Sequence, residues 1–208
     1  GIMKNDPMAD HRGMYQIRSL YFDDMGDKCY YENENGVCPR EKYRIRIYNG
    51  NTGLIHLECK RKIRGMTQKE TCPLSLEQYR ILTTDRQAPI VSFHEFPELM
   101  QTLLYLKRTR LMKPKVIVEY DRRPFVYRDG NVRVTLDSNI SSCGRVNDFL
   151  EKKVNGRPIL PPGMQLMEVK YDSLLPDHIY RILQLEHMTR TAFSKYYLCR
   201  KFNSGNLS

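Results

Sequence analysis

YRIRI at residues 43–47 and LIHLECKRK at residues 54–62 are the two stretches that decide the fold class. Alternate residues of a β-strand point to opposite faces of the sheet. The first stretch therefore places Arg44 and Arg46 on one face and its isoleucines on the other. The second places a histidine, a glutamate and two lysines on one face. Both stretches predict strands with one apolar face and one basic face.

Similar alternation and β-branched or aromatic residues predict six strands, at Tyr15–Asp23, Lys42–Tyr48, Leu54–Lys62, Val116–Tyr120, Asn131–Leu136 and Met164–Tyr171. Helical spacing predicts three helices, at Ser75–Thr83, Glu98–Met112 and Ile179–Met188. The sequence DGN at residues 129–131 is typical of a hairpin turn, because these residues tolerate positive φ. Many strands with interspersed helices indicate an α+β fold, built on a curled antiparallel sheet or barrel with flanking helices.

The net charge of +10 favours an anionic partner. Bases strongly outnumber acids between Arg40 and Lys69. For any single strand, a charged face exposed to solvent remains the simpler interpretation. If these faces instead turn inward, the cavity they enclose needs a polyanion to relieve the repulsion, and Arg and Lys both bind phosphate oxygens. A glutamate among bases, such as Glu168, is a candidate ligand for the divalent metal that accompanies a triphosphate.

Several other chemistries lack their motifs in this sequence. There is no Walker A motif and no GxGxxG. The five histidines and six cysteines show no metal-ligand spacing, and no run of about 20 apolar residues is present. A phosphate-binding protein of this kind must therefore hold phosphates with side chains rather than with a glycine-rich loop.

Eight short motifs, in order along the chain, resemble the polyphosphate polymerase domain of the vacuolar transporter chaperone (VTC) family, within the triphosphate tunnel metalloenzyme superfamily. They are RSLYFD at 18–23, KYRIR at 42–46, LECK at 57–60, Lys69, EYDRRPF at 119–125, VRVTLD at 132–137, MEVK at 167–170 and FSKY at 193–196. The resemblance extends from about residue 15 to residue 197.

This resemblance implies the triphosphate tunnel fold and the transfer of the ATP γ-phosphate to a growing polyphosphate chain, aided by Mn²⁺ or Mg²⁺. Glu168 would hold the metal. The motif match assigns a phosphate-binding role to Arg122, and the adjacent Arg123 is the alternative for the same role. The residues expected to act on phosphate during transfer are Arg44, Arg46, Lys60, Lys69, Arg122 and Arg133. Further phosphate contacts are expected from Ser194 and Lys195 near the tunnel end, and from Lys62 and Lys170 on the basic strand faces.

We expect a single domain over residues 1–208. Family members usually begin with a charged strand ahead of the segment that matches Met14–Asp23, and only about a dozen residues precede it here, so that strand is expected to be missing. The expected partners are ATP and inorganic polyphosphate or pyrophosphate, without nucleic acid. A cytoplasmic location is expected, with room for a separate membrane partner, and the oligomeric state is left open.

Two alternative functions remain open at this point. Triphosphatases and nucleotide cyclases of the same fold line one wall with several carboxylates, beginning with an N-terminal Glu-x-Glu-x-Lys. Only Glu58, Glu119 and Glu168 lie on the predicted strands as glutamates, which favours the polymerase. A module that binds polyphosphate, inositol polyphosphate or RNA without catalysis would need the same basic faces, although an RNA-binding sheet would also need exposed stacking aromatics.

Overall fold

An antiparallel sheet forms the body of the protein in the computed structural model, which describes residues 3–6, 9–64, 66–84, 94–184 and 191–204. Its strands are β1 (Lys4–Asn5), β2 (Tyr15–Asp23), β3 (Arg40–Tyr48), β4 (Ile55–Ile63), β5 (Met66–Leu74), β6 (Lys113–Tyr127), β7 (Val132–Cys143), β8 (Arg157–Pro158) and β9 (Leu166–Lys170). The strand order is β5-β4-β3-β2-β6-β7, with β8 and β9 both paired to β7 and β1 paired to β6.

Five α-helices accompany the sheet in the described part of the chain: α1 (Lys28–Glu34), α2 (Leu76–Thr83), α3 (Glu98–Arg110), α4 (Asp177–Leu183) and α5 (Lys195–Ser204). Short 3₁₀ turns lie at Asp129–Asn131 and Val146–Leu150. A capping box starts α2, because Oγ of Ser75 accepts from the backbone N–H of Gln78 and Oε1 of Gln78 accepts from the backbone N–H of Ser75.

The outer face of the sheet packs against α2 and α3. Leu20, Ile45 and Leu57 are fully buried there against Leu82 and Leu103 from the helices. Burial of these apolar side chains fixes the outer face of the strands toward the helices. The alternate residues of the same strands must therefore face the opposite, inner side.

A buried ion pair also lies on the outer face. Arg18 of β2 binds Glu119 of β6, and its Nη1 atom donates to the carbonyl oxygens of Phe149 at 3.0 Å and Glu151 at 2.6 Å. The charge of the buried Arg18 is thus balanced by Glu119, and two backbone carbonyls accept from its guanidinium. Glu119 therefore belongs to the structural layer and does not face the inner side.

A second apolar core closes one end of the sheet's inner side with the help of α5. Tyr21 and Tyr196 are buried together, with ring centroids 5.2 Å apart. The hydroxyl of Tyr196 donates to Asp23, and Tyr197 stacks on Tyr30 of α1 with centroids 4.9 Å apart. Helices α1 and α5 therefore lie together at the end of the sheet where β2 finishes and β3 begins.

All six predicted strands are present, and the α+β class is confirmed. The predicted hairpin is also confirmed: Tyr127 pairs with Val132, and Gly130 has a φ of 74°. Five elements were not predicted from the sequence, namely β1, β5, β8, α1 and α5, and β6 and β7 are longer than predicted. The third predicted helix instead spans Asp177–Leu183, and the end of its predicted range lies outside the described residues.

Candidate functional site

A basic cavity of about 1010 Å³ occupies the inner side of the sheet. Two acidic and eleven basic residues line it; the bases are Arg40, Lys42, Arg44, Arg46, Lys60, Lys62, Lys69, Arg122, Arg133, Lys170 and Lys195. The lining comes from β2, β3, β4, β5, β6, β7 and β9, and from α1 and α5 with the residues before it. Side chains from almost every strand therefore converge on one volume.

The structure brings all the residues proposed from sequence into this cavity. Nine of them are among the bases just named, and Glu168 and Ser194 complete the set. Strand parity also separates Arg122 from Arg123: the first lines the cavity, while the second is exposed and contacts the sulfur of Met14 at 3.6 Å. Two lining bases, Arg40 and Lys42, were not proposed, although they continue the alternation of Arg44 and Arg46.

A buried carboxylate on β4 organises bases on β3 and β5. The Oε2 atom of Glu58 lies 2.7 Å from Nε of Arg44 and 3.5 Å from Nη1 of Arg46, and its Oε1 atom lies 2.7 Å from Nζ of Lys69. Burial alone would raise the pKa of Glu58, but the charges of Arg46 and Arg44 and the hydrogen bond from Lys69 outweigh it and lower the pKa to about 2. Glu58 is therefore an ionised anchor for three cations.

Further hydrogen bonds fix the direction of the two arginines. Nε of Arg46 donates to Oγ of Ser19 at 3.0 Å, and Nη1 of Arg44 donates to the hydroxyl of Tyr21 at 2.9 Å. Each guanidinium is thus held from β2 as well as from β4. The two arginine side chains are therefore already ordered in the free protein, so a phosphate can bind without the entropy cost of ordering them.

A second buried carboxylate, like Glu58, holds bases in place on the opposite wall of the cavity. Asp137 of β7 accepts from Nε and Nη2 of Arg122 at 2.7 and 2.8 Å, and its Oδ2 atom lies 2.7 Å from Nζ of Lys195. Its pKa is lowered, because the hydrogen bonds and charges of these two bases outweigh the effect of burial. Sequence reasoning overlooked Asp137 in this role, since a lone aspartate at the end of a strand carries no distinguishing pattern.

Three lining bases have no side-chain hydrogen bond or ion pair to any described residue: Arg40, Lys60 and Lys62. The pKa of Lys60 is lowered by burial and by the charge of Lys170. These cations are therefore free to bind an anion, and binding one would also relieve the repulsion between the facing lysines.

Lys42 links the cavity to both end helices. Its Nζ atom donates to Oδ1 of Asn33 in α1 at 2.8 Å and to Oγ of Ser194, just before α5, at 3.1 Å. Burial is the main cause that lowers the pKa of Lys42 to about 8. A lysine with such a pKa changes its charge close to physiological pH, and a bound anion would favour its protonated form.

Of the two carboxylates that line the cavity, Asp172 is exposed beyond the end of β9, and Glu168 lies on β9, half-buried among bases. It lies 3.2 Å from Nζ of Lys170 and 3.4 Å from Nη2 of Arg122. Burial opposes ionisation, but the charges of those two bases lower its pKa. Its cross-strand partner is Thr135, whose buried Oγ1 atom has no hydrogen-bond partner. A carboxylate and an unsatisfied hydroxyl on adjacent strands suit a hard cation that takes its remaining ligands from phosphate and water.

No group of three or more His, Cys, Asp or Glu side chains with metal-binding geometry occurs in the described ranges. Glu58 and Asp137, which also lie at the inner side, are each enclosed by bases. A metal cage built from protein carboxylates alone is therefore not what these residues form. The donor set fits an ion that arrives with a phosphorylated ligand.

The antiparallel sheet that encloses this basic cavity has the triphosphate tunnel fold that was expected from the sequence. The chain belongs to the VTC domain family, whose model matches residues 2–202. No significant match was found among curated proteins. None of the described helices is both long enough and apolar enough to cross a membrane.

The solved structures that are similar to the chain include one from Bacillus halodurans and one from Hippeastrum. One is a candidate adenylate cyclase from Bacillus halodurans, with a TM-score of 0.45 and 14% identity, covering 84% of this chain and 74% of that one. The other is a candidate adenylyl cyclase from Hippeastrum, described as having a dominant triphosphatase activity. Its TM-score is 0.41 at 12% identity, and the match covers 82% of this chain and 71% of that one.

Proposed function

We propose that the protein is a polyphosphate polymerase that transfers the γ-phosphate of ATP to the end of an inorganic polyphosphate chain inside the basic tunnel. The bond between the γ-phosphorus and its bridging oxygen breaks, the terminal oxygen of the chain forms the new bond, and ADP leaves. The observation that carries the proposal is the ratio of eleven basic to two acidic lining residues spread along the whole cavity. A polymer of phosphates needs cations along its length, whereas a single triphosphate needs them at one point.

The two carboxylate-anchored clusters supply rigid phosphate ligands. Glu58 holds Arg44, Arg46 and Lys69, while Asp137 holds Arg122. Phosphoryl transfer asks the protein mainly for positioning and for stabilisation of charge on the oxygens around the moving phosphorus. Preorganised guanidinium groups meet that need, because they do not have to reorient as the charge shifts.

The unpaired cations are suited to binding the polyphosphate chain rather than the phosphate that is being transferred. Lys60 and Lys62 are flexible point charges without fixed partners, so they can follow a polyanion as it moves. Arg133 is more fixed, since its Nη2 atom donates to Asp6 at 2.8 Å and to the hydroxyl of Tyr15 at 2.9 Å. Its Nε atom is buried and has no hydrogen-bond partner among the described residues.

Mn²⁺ or Mg²⁺ is the cofactor that this proposal requires, and Glu168 with Thr135 would hold it. The ion would neutralise negative charge on the phosphate oxygens and so lower the barrier to attack by another phosphate. Ser194 and Lys195 lie at the α1/α5 end and would contact the phosphates next to those that bind the ion. ATP as the donor is consistent with a cytoplasmic protein of a single domain.

The test is incubation of the purified protein with ATP and Mn²⁺, followed by polyacrylamide electrophoresis with a stain for polyphosphate. A ladder of long chains is expected, and Glu168→Ala should abolish it. Glu70→Ala is the matched control, because Glu70 lies on the outer face and pairs with Arg61. Release of orthophosphate from tripolyphosphate, with no ladder from ATP, would instead identify a triphosphatase.

A further inference from the structure

The side chain of Asp23, at the end of β2, is fully buried and binds neutral groups from two helices. Its Oδ1 atom accepts from the backbone N–H groups of Asp24 and Cys29, both at 2.9 Å. Its Oδ2 atom accepts from the backbone N–H of Tyr30 at 3.1 Å and from the hydroxyl of Tyr196. A buried carboxylate is costly unless hydrogen bonds satisfy its oxygens, so these donors must stay in place. One side chain thus holds the first turn of α1 and the first turn of α5.

The two helices that Asp23 joins hold Lys42 between them. The oxygens that accept from its Nζ atom belong to Asn33 of α1, at 2.8 Å, and to Ser194 just before α5, at 3.1 Å. The same ammonium group lies 5.6 Å from the centroid of the Tyr196 ring. The position of Lys42 in the cavity wall therefore depends on Asp23 through other side chains.

Tyr196 also reaches a second cation of the cavity through Tyr21. The two rings are tilted by 35°, and their centroids are 5.2 Å apart. The hydroxyl of Tyr21 accepts from Nη1 of Arg44 at 2.9 Å, and the Arg44 guanidinium lies 5.7 Å from the centroid of the Tyr21 ring. A displacement of Tyr196 would therefore also displace the ring that supports Arg44.

We propose that the hydrogen bond between Asp23 and Tyr196 positions Lys42 and Arg44 for phosphate binding, which makes Tyr196 a positioning residue of the tunnel. The inference rests on the proposed function only in that these two cations bind phosphate. The bond holds α5 in place, so both cations are ordered before the ligand arrives and binding does not have to order them. Both residues end motifs that were singled out in the sequence, RSLYFD and FSKY, without a role assigned to either.

The charge of Lys42 reports on this positioning. Burial is the main cause that lowers its pKa to about 8. The titratable groups that act on its ammonium come from β2, β3, β4, α1 and α5, and they are Tyr21, Arg40, Lys60, Cys29 and Tyr196. Without the bond to Asp23, α5 is held less firmly and water reaches Lys42, so its pKa rises toward the usual value. Lys42 then keeps its charge over a wider pH range, whereas a loss of stability alone would leave the pH dependence of binding unchanged.

The test is isothermal titration of tripolyphosphate into the full chain carrying Tyr196→Phe, which keeps the ring that packs on Tyr21. Binding at about pH 7 should weaken by about fivefold, the value of one hydrogen bond. Relative to Lys42→Arg, affinity should fall about tenfold between about pH 7 and about pH 9 in the natural protein, but about twofold or less in Tyr196→Phe. Tyr197→Phe is the matched control, because the next hydroxyl of α5 binds the exposed Glu34 at 2.9 Å, and it should bind as the natural protein does at both pH values.

Lys42→Ala provides the second measurement, because it removes the main side chain through which Tyr196 acts. Adding Tyr196→Phe to that protein should weaken binding by about twofold or less, since the two changes are coupled. Circular dichroism and thermal melts check that each variant is folded. An unchanged affinity in Tyr196→Phe, or an equal loss at both pH values and in both backgrounds, would overturn the proposal. If the natural protein makes no polyphosphate ladder but Tyr196→Phe shows the expected changes in binding, polymerisation is refuted and the positioning role stands.

Discussion

Arg122 and Asp137 face each other across β6 and β7 and are joined by two hydrogen bonds, from Nε to Oδ1 at 2.7 Å and from Nη2 to Oδ2 at 2.8 Å. Asp137 is fully buried, so the guanidinium is held in one plane with its outer edge toward the cavity. Such a forked pair is specific to arginine, because a lysine presents a point charge.

Arg122→Lys should therefore keep the fold and the charge but weaken tripolyphosphate binding by about tenfold, since the fixed geometry is lost. Isothermal titration measures the affinity, and circular dichroism checks the fold. Arg123→Lys is the matched control, because the adjacent side chain is exposed outside the tunnel and should bind as the natural sequence does. Equal losses in the two variants would contradict the assignment of Arg122 to the tunnel wall.

Glu58→Gln should lower the free energy of unfolding by about 3 kcal/mol, because it leaves three cations around a neutral buried group. Tripolyphosphate should then raise the melting temperature of the variant more than that of the natural protein, since the ligand supplies the missing negative charge. Thermal melts with and without the ligand test both parts. Glu70→Gln, which alters an outer-face pair with Arg61, should change neither quantity appreciably.

Tripolyphosphate binding should weaken as the pH rises through about 8, because Lys42 has its pKa lowered to about 8 and loses its charge there. A bound polyanion stabilises the protonated lysine, so binding takes up a proton above that pH. The dissociation constant should increase about tenfold between about pH 7 and about pH 9 relative to Lys42→Arg, which stays charged throughout. Ionisation of the ligand itself is common to both proteins and cancels in this comparison. Parallel pH profiles would exclude Lys42 from the binding site.

Thr135→Val should leave the melting temperature nearly unchanged, because the hydroxyl of Thr135 has no hydrogen-bond partner among the described residues and valine has nearly the same shape. The variant should bind Mn²⁺ more weakly in the presence of tripolyphosphate, as followed by electron paramagnetic resonance of the free ion. Binding of tripolyphosphate without metal should be unaffected. A variant that binds Mn²⁺ as well as the natural protein would remove Thr135 from the metal site.

Much of the tunnel wall could be predicted from sequence because its strands separate apolar from basic residues. In β3 and β4 one face packs on α2 and α3. The strict alternation of apolar and basic residues therefore identifies the inward-facing bases from the sequence alone. The sequence MTQKETCPL of β5 has no such contrast, since most of its side chains are exposed, and the strand was missed for that reason. Lys69 on this strand was identified through family resemblance and not through periodicity.

The helices at the α1/α5 end were missed for a different reason. Helix α1 is seven residues long, and its N-cap residue Asp27 makes no side-chain cap. Its first backbone N–H groups donate instead to the carboxylates of Asp23 and Asp24, which lie too far back in the chain to form a recognisable capping pattern.

The positions of both helices depend on contacts that are distant in sequence, such as Tyr30 with Tyr197 and Tyr196 with Asp23. The anchoring roles of Glu58 and Asp137 likewise depend on which bases surround them in three dimensions. Composition predicted the excess of positive charge, but it could not predict which bases are held and which are free.

The tunnel has a seam, because β5 pairs only with β4 and β9 only with β7 among the described strands. In a closed barrel, strand number and stagger fix the internal diameter. Here no hydrogen-bond ladder fixes the spacing between the two edges, and the charges of Lys60 and Lys170 repel across it. A polyanion bound inside the tunnel cancels that repulsion, so the distance between the two edges depends on whether a polyanion is bound. The width of the tunnel is thus a response to what fills it, and an empty tunnel and a loaded one need not have the same cross-section.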